Sequence, residues 1–316
     1  MIHPDMPEAV RLECPDWAIA PLRRRFGPAF AAEMAATLTP PPLDLRVNSV
    51  RTTRAAVLRT CSASVSTPRP PRSRPTASAL RESLARLPGL KTGEVEIQDE
   101  GSQLVAMLVD ARPGARVVDF CAGAGGKTLA IAAQMNNKGR IVACDVSEGR
   151  LKRGAERFRR AGVHNAETRL LASETDKWVK RHKGGFDRVL VDAPAPAPAP
   201  GGATGCPLAR VRGELAGKPP GPAGLILASA ARLVKPGGRL VYATCSMLSE
   251  ENEERVAGFL AAHPDFSVVP LGVAAPALKG SAHPDFLSLT PLRHDTDGFF
   301  AAVLVRAEPV PPQDPA

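Results

Sequence analysis

The sequence contains few aromatic residues, with one Tyr, two Trp and ten Phe among 316 residues. An extensive platform for stacking nucleic-acid bases is therefore not expected. The six cysteines include no CxxC pair, so the pattern indicates neither a zinc site nor a disulfide framework. No apolar run of 18 residues and no signal-peptide pattern appear, and we expect a soluble cytoplasmic protein with no membrane partner.

The composition is that of a basic globular protein. A chain of this length can bury a sizeable core, and two domains are plausible. The net charge of +9 suggests a polyanionic partner. Abundant Arg, Ala and Pro residues also follow from GC-rich coding, so the charge alone does not identify that partner.

A glycine-rich segment at 116–128, RVVDFCAGAGGKT, is the feature around which the rest of the sequence is organised. Strand, glycine turn and helix in this order begin a nucleotide-binding α/β fold. A dinucleotide fingerprint would need glycine in place of Thr128, and a phosphate-binding P-loop would need glycine in place of Cys121. A loop for S-adenosylmethionine and a tight turn with no ligand both remain open.

Later predicted strands end on polar residues. RIVACD (140–145) ends on Asp145, about 20 residues beyond the glycine turn, a position that suits ribose hydroxyls or a helix N-cap. The next segment places Ser173 or Glu174 near its end, FDRVLVDAP contains Asp192, and RLVYATCS (239–246) leads to Cys245. Open parallel sheets bind ligands at the carboxyl edge of their strands, so we expect these side chains to share one site.

Other segments have regular periodicity. The first 40 residues are helical in pattern, 42–50 alternates as a half-buried strand does, and a helix follows at TTRAAVLRTC. A strand, a turn and a helix lead into the glycine segment. Further helices are predicted at LILASAARLVKPGG, closed by Pro236 and Gly237, and at SEENEERVAGFLAAH, which has a capping pattern. DGFFAAVLVR (297–306) is a predicted terminal strand.

Two segments break this regularity. Residues 61–83 contain four prolines and almost no large apolar residue, which is typical of a disordered linker. Residues 195–222 begin with an Ala-Pro repeat that cannot form a helix.

Seven motifs together resemble the RsmB/NOP (Sun) family of RNA cytosine-5 methyltransferases: QDEGSQL, DFCAGAGGKT, ACDVSEGRL, DRVLVDAP, KPGGRLVYATCS, EENE and DGFF. The resemblance covers about residues 40–60 and 86–306. It implies a class I methyltransferase domain at 98–306, which is a Rossmann-like α/β sheet with helices on both faces. It also implies a small α+β domain like an RNA-recognition motif within 1–97, and we expect a disordered tail at 307–316.

The same resemblance assigns roles in cytosine methylation. The Cys245 thiolate would add to carbon 6 of the base, and Asp192 would hydrogen-bond the amino and ring-nitrogen edge of the cytosine. Lys127 would orient the base or the carboxylate of the cofactor. S-adenosylmethionine would be held by Cys121, Ala122, Gly123, Ala124, Gly125, Gly126, Lys127, Asp145, Ser173 and Asp192. We expect rRNA or tRNA as the RNA partner, no metal, and a monomer.

One departure from the family affects the substrate side of this site. The family has a DAPC motif, whose cysteine is thought to help product release, but here Asp192-Ala193-Pro194 is followed by Ala195. We hypothesise that both irregular segments are out-of-frame translations. Permitted codons for the Ala-Pro repeat, read two bases later, encode Thr-Gly-Thr-Gly-Thr-Trp-Arg-Arg, which resembles the missing family loop.

Two expectations follow from that departure. The chain would have weak or absent activity, and the alternative function is that of a catalytically impaired relic that binds RNA or cofactor. The family also usually has a longer helical N-terminus, which suggests a truncated chain or a late start.

Overall fold

The structure is a computed structural model, and it describes residues 6–39, 42–64, 89–194, 222–278 and 283–309. Within these ranges, no helix combines the length and apolarity needed to cross a membrane.

The strands form a small sheet and a large one. Their bounds are β1 (Leu45–Val47), β2 (Val95–Ile97), β3 (Arg116–Asp119), β4 (Arg140–Asp145), β5 (Ala166–Leu170), β6 (Phe186–Asp192), β7 (Val234–Thr244), β8 (Phe266–Val268), β9 (Phe286–Leu289) and β10 (Phe299–Arg306). The large sheet has the order β5-β4-β3-β6-β7-β10-β8, and β9 pairs with β10. Strands β3 to β7 are parallel to one another, and β10 runs antiparallel to β7.

The helices cover both faces of the large sheet. Their bounds are α1 (Glu8–Arg11), α2 (Asp16–Phe26), α3 (Phe30–Thr37), α4 (Arg54–Ser64), α5 (Glu100–Leu108), α6 (Gly126–Gln134), α7 (Glu148–Ala161), α8 (Lys177–Arg181), α9 (Pro222–Ala231), α10 (Glu253–Ala262), α11 (Leu271–Ala274) and α12 (Pro291–His294).

Side-chain alternation along the strands explains the two layers. Successive side chains of a strand point to opposite faces, and in β3 Val117 joins one buried core while Val118 joins the other. The first core includes α5 and α6, and the second includes α9 and α10. A parallel sheet with helices on both faces is the architecture that the sequence predicts.

The N-terminal part is attached to helix α7 by buried contacts. Antiparallel β1 and β2 form the small sheet, and the Asn48 amide donates to the carbonyls of Gly93 and Ala161, both at 2.8 Å. Glu96 is buried and accepts hydrogen bonds from Arg157 at 2.9 Å and from Arg160 at 2.6 Å. This region contains strands and helices as expected, but its likeness to an RNA-recognition motif and the boundary at residue 97 remain predictions.

Several predicted boundaries differ from those observed. The helix predicted to close at Pro236 and Gly237 ends at Ala231, and both residues lie in β7, which begins at Val234. Strand β7 extends this far because Val234 pairs with Phe186 across an irregularity in the ladder. Helix α4 continues to Ser64, so residues 61–64 of the predicted linker are helical.

The predicted cap of α10 is also different. Asn252 occupies the N-cap position, but its side chain makes no capping hydrogen bond, because it is bonded to the chain around Cys245 instead. Residues 65–83 of the linker, residues 195–221 and the tail beyond 309 lie outside the described residues.

Candidate active site

A cavity of about 550 Å³ lies at the carboxyl ends of β3, β4, β6 and β7. The strand order reverses between β3 and β6, and the crevice at such a reversal is the usual ligand site of an open α/β sheet. Its lining combines the glycine loop with the predicted strand-end residues Asp145, Asp192 and Cys245. Its volume is within the usual range for small-molecule sites, about 300–1,000 Å³.

The glycine loop needs glycine at two positions for different reasons. Gly123 has φ +56° and Gly125 has φ +80°, which is the left-handed region that favours glycine. A Cβ at Gly125 would lie 2.4 Å from the Phe158 ring, whereas a Cβ at Gly123 would meet nothing within 4 Å. Gly125 therefore permits close packing of the loop on α7, and Gly123 leaves its backbone open to a ligand.

Asp145 joins the end of β4 to the glycine loop. Its Oδ2 accepts from the Gly123 backbone N–H at 2.9 Å, and its Oδ1 accepts from the Ser147 backbone N–H at 2.8 Å. The helix that follows begins at Glu148 with Ser147 as its N-cap, so Asp145 does not cap the first turn. The carboxylate instead stabilises the loop conformation at the edge of the cavity.

Lys127 and Asp192 form an ion pair inside the cavity. The Lys127 Nζ lies 2.7 Å from Asp192 Oδ2 and 5.6 Å from the centre of the Phe299 ring. The lysine is in the first turn of α6, and the aspartate ends β6. One cation and one carboxylate from adjacent strand–helix units therefore face the same space.

Cys245 is the residue directly after β7, and it is partly exposed between buried Thr244 and Ser246. Burial and the nearby Asp192 carboxylate raise the pKa of its thiol to about 11, while Lys127 acts to lower this pKa. A thiol in this environment is almost entirely protonated at neutral pH, so its reactivity depends on the charges around it.

The other residues of the glycine segment have structural contacts. Asp119 is buried beneath the loop, where its Oδ2 accepts from the Thr128 hydroxyl at 2.7 Å. Burial raises the pKa of Asp119 to about 7, against the opposing effect of this hydrogen bond. Burial also raises the pKa of the Cys121 and Cys144 thiols, which favours the protonated and unreactive form of both.

The structure brings most of the predicted site residues together. Those that line the cavity are Cys121, Ala122, Gly123, Ala124, Lys127, Asp145, Asp192 and Cys245. Gly125, which ends the loop, and Gly126, which is the first residue of α6, do not line the cavity. Ser173 is not in the lining either, because its hydroxyl lies against that of Thr175 at 3.1 Å, and Glu174 faces the cavity in its place.

Some lining residues are not identified by sequence reasoning, among them Val146, Arg150, Ile226 and Phe299. Val146 directly follows the strand-end acid Asp145 and is 66% exposed in the structure, an exposure that the sequence pattern does not indicate. Phe299 belongs to the DGFF motif, but the motif alone does not indicate that this side chain lines the cavity. Ile226 and Arg150 come from helices whose approach to the cavity depends on packing.

Comparison with known proteins gives consistent matches. The family model described as 16S rRNA methyltransferase RsmB/F matches residues 106–305. A curated Bacillus subtilis protein, "Probable ribosomal RNA small subunit methyltransferase B", is 32% identical over 300 residues, which are 90% of this chain and 65% of that protein. The present chain therefore spans just under two thirds of the length of this relative.

Solved structures have the same fold. The crystal structure of PH0851 matches with a TM-score of 0.77 at 27% identity, covering 96% of this chain and 69% of that one. A methyltransferase homologue from Pyrococcus horikoshii matches with a TM-score of 0.75 at 24% identity, covering 96% of this chain and 100% of the other. The family model confirms the predicted resemblance, and the solved structures confirm the predicted Rossmann-like α/β class, whereas the small domain like an RNA-recognition motif remains a prediction.

Proposed function

Because this chain belongs to the RsmB/F family of 16S rRNA methyltransferases, we propose that it methylates carbon 5 of a cytosine in RNA, with Cys245 as covalent nucleophile. The methyl donor is S-adenosylmethionine, and ribosomal RNA is the substrate class favoured by the relatives. The observation that carries this proposal is that Cys245, Asp192 and Lys127 line the same cavity as the glycine loop and Asp145.

The residues of the cavity fit this cofactor. The backbone at Gly123 is open on the side where a Cβ would stand, so a ligand can approach it closely. Asp145 is positioned to accept from ribose hydroxyls, and exposed Val146 offers an apolar contact for the adenine. Glu174, rather than Ser173, lines the cavity and would be the polar residue available to the adenine. When bound, S-adenosylmethionine supplies an electrophilic methyl group.

The Cys245 thiolate is needed because carbon 5 of cytosine, by itself, attacks a methyl donor poorly. Addition of the Cys245 thiolate to carbon 6 moves the electrons of the 5,6 double bond onto carbon 5, which can then accept the methyl group. A base next removes the proton from carbon 5, the double bond re-forms, and the sulfur leaves carbon 6 as thiolate. Covalent catalysis of this kind divides one difficult step into easier ones.

Asp192 and Lys127 support the addition step. The Asp192 carboxylate would accept from the cytosine amino group and stabilise positive charge at the ring nitrogen of the adduct. The same carboxylate raises the pKa of the Cys245 thiol. Positive charge that develops at the ring nitrogen beside Asp192 would offset this carboxylate, and Lys127 lowers the pKa of the thiol, so both effects favour the thiolate as the adduct forms.

Trapping with RNA that contains 5-azacytosine tests the proposal, because nitrogen at position 5 blocks release of the adduct. We expect a covalent protein–RNA species that Cys245→Ala abolishes and that Cys14→Ala retains, since Cys14 is buried among the N-terminal helices away from the cavity. An adduct that persists in Cys245→Ala would exclude Cys245 as nucleophile.

A second function is favoured by one observation in the sequence, which is Ala195 in place of the second cysteine of the family motif. In that case the chain binds cofactor or RNA without turnover. Binding of S-adenosylmethionine in calorimetry, without any adduct on the 5-azacytosine RNA, would support this impaired relic over the enzyme.

A further inference from the structure

The side chain of Asn252 spans the two residues on either side of Cys245. Its Oδ1 accepts from the Thr244 hydroxyl at 2.6 Å, and its Nδ2 donates to the Ser246 carbonyl at 2.9 Å. Asn252 itself is fully buried, at 0% exposure. One amide group therefore holds the chain immediately before and immediately after the cysteine.

Further hydrogen bonds stabilise the same short segment. The Ser246 backbone N–H donates to the Thr244 hydroxyl oxygen at 3.2 Å, and the Leu248 N–H donates to the Ser246 hydroxyl at 3.1 Å. Thr244 and Ser246 are each 1% exposed, whereas Cys245 between them is partly exposed and lines the cavity. The arrangement thus buries the neighbours of the cysteine and leaves its side chain at the cavity.

We propose that Asn252 is a positioning residue that aims the Cys245 sulfur into the cavity, an inference that rests on the proposed function. The Asn252 amide acts through the Thr244 hydroxyl and the Ser246 carbonyl and does not itself line the cavity. A displacement of about 1 Å in a reacting group can reduce a rate on the order of 100-fold. Asn252 belongs to the EENE motif, so the proposal gives this motif a role in positioning the cysteine.

An amide suits this role better than a carboxylate. Asn252 donates and accepts at once, so both of its polar atoms are satisfied in a fully buried place. An aspartate would lose the donor to the Ser246 carbonyl and would add negative charge near a thiol whose pKa is already raised by Asp192. A neutral side chain at position 252 therefore avoids a further rise in the pKa of the Cys245 thiol, so that more of it is present as thiolate.

Three variants and one matched control test the inference. Thr244→Val removes the hydroxyl with little change of shape, Thr244→Ser keeps it, and Asn252→Asp keeps the acceptor but loses the donor. The control is Tyr242→Phe, which removes a buried hydrogen bond of 2.7 Å from the same strand to the Glu251 carbonyl and leaves the hydrogen bonds among Thr244, Ser246 and Asn252 in place. Urea unfolding of each variant measures the cost to stability.

The first readout is the rate of adduct formation with 5-azacytosine RNA at saturating RNA. We expect a loss of roughly 10- to 100-fold in Thr244→Val and Asn252→Asp. Thr244→Ser should recover most of the rate, Tyr242→Phe should stay within about twofold of wild type, and the affinity for cofactor should not change. Equal rates in Thr244→Val and Tyr242→Phe would overturn the inference.

The second readout is alkylation of Cys245 by iodoacetamide as a function of pH, followed by peptide mass spectrometry, which does not require the proposed function. Thr244→Val adds no charge and should change the alkylation rate at high pH, where the thiol is ionised; Asn252→Asp should in addition shift the profile to higher pH, and Tyr242→Phe should do neither. If wild type forms no adduct but the altered rate of Thr244→Val is present, the proposed function fails and the positioning stands. A profile unchanged in both Asn252→Asp and Thr244→Val would overturn the positioning.

Discussion

Arg25 in α2 and Glu253 in α10 form a two-point ion pair across 228 residues of sequence, with Nη–Oε distances of 2.8 and 2.9 Å. The same guanidinium donates to the Ser249 hydroxyl at 3.1 Å and to the Ser288 hydroxyl at 3.2 Å. Met247 and Leu248 belong to a buried cluster with residues of the N-terminal helices. The N-terminal helices therefore cover the segment that follows Cys245.

Removal of this ion pair should destabilise the fold. Arg25→Ala leaves a partly buried carboxylate and two hydroxyls without their donor, and we expect the free energy of unfolding to fall by about 1–3 kcal/mol. The control is Arg24→Ala, since Arg24 pairs with Glu250 at 3.1 Å but is 70% exposed, and it should cost less than about 1 kcal/mol. Urea titration measures both, and equal losses would contradict the importance of the Arg25 contact.

The two left-handed glycines of the loop should respond differently to alanine. Both variants place a Cβ in a region that costs about 1–2 kcal/mol for an ordinary residue. Gly125→Ala also drives that Cβ against the Phe158 ring, so it should destabilise the protein by at least about 1 kcal/mol more than Gly123→Ala. Thermal and urea unfolding of the pair measure this difference, and the reverse order would be inconsistent with the packing at Phe158.

The charges around Cys245 should set the pH at which it reacts. Asp192→Asn removes a carboxylate that raises the pKa of the thiol, so alkylation of Cys245 should begin at lower pH. Lys127→Met removes a cation that lowers this pKa, so alkylation should begin at higher pH. Rates followed from pH 7 to 10 by mass spectrometry give the two profiles. Shifts in the same direction would show that a structural change, rather than charge, controls the thiol.

Asp119 should make the fold less stable as the pH rises. Its pKa in the folded state is about 7, above the usual value near 4, so the folded protein holds a proton that the unfolded chain releases. The stabilisation is complete below about pH 4, is lost between about pH 4 and 7, and changes no further above pH 7.

Asp119→Asn should flatten this dependence. Each unit of pKa shift corresponds to about 1.4 kcal/mol, so the full effect is at most about 4 kcal/mol. The free energy of unfolding, measured in urea between pH 4 and 8, should fall less in the variant than in wild type. Buried Glu251 has a pKa raised to about 7 as well, so part of the slope should remain in Asp119→Asn. An unchanged slope would contradict an elevated pKa at Asp119.

Local patterns in the sequence were enough to predict much of the fold. The run from Arg116 to Gln134 forms a strand, a glycine turn and a helix because side-chain periodicity and glycine conformations act over a few residues. Asp145, Asp192 and Cys245 could be predicted to meet because parallel strands share one carboxyl edge. The irregular segments at 65–83 and 195–221 fall outside the described residues, so the hypothesis of out-of-frame translation depends on the DNA.

Other features were decided by packing between distant segments. The choice of Glu174 over Ser173 at the cavity depends on the turn that follows Leu171, where Ser173 bonds to Thr175. Asn252 stands at the N-cap position of α10, yet its amide holds the chain on either side of Cys245. Periodicity identifies which side chains face a core and where a strand ends, because both depend on residues that are neighbours in the sequence. The partners of Asn252 and Arg25 are chosen by side-chain distances that exist only once the strands and helices have packed together.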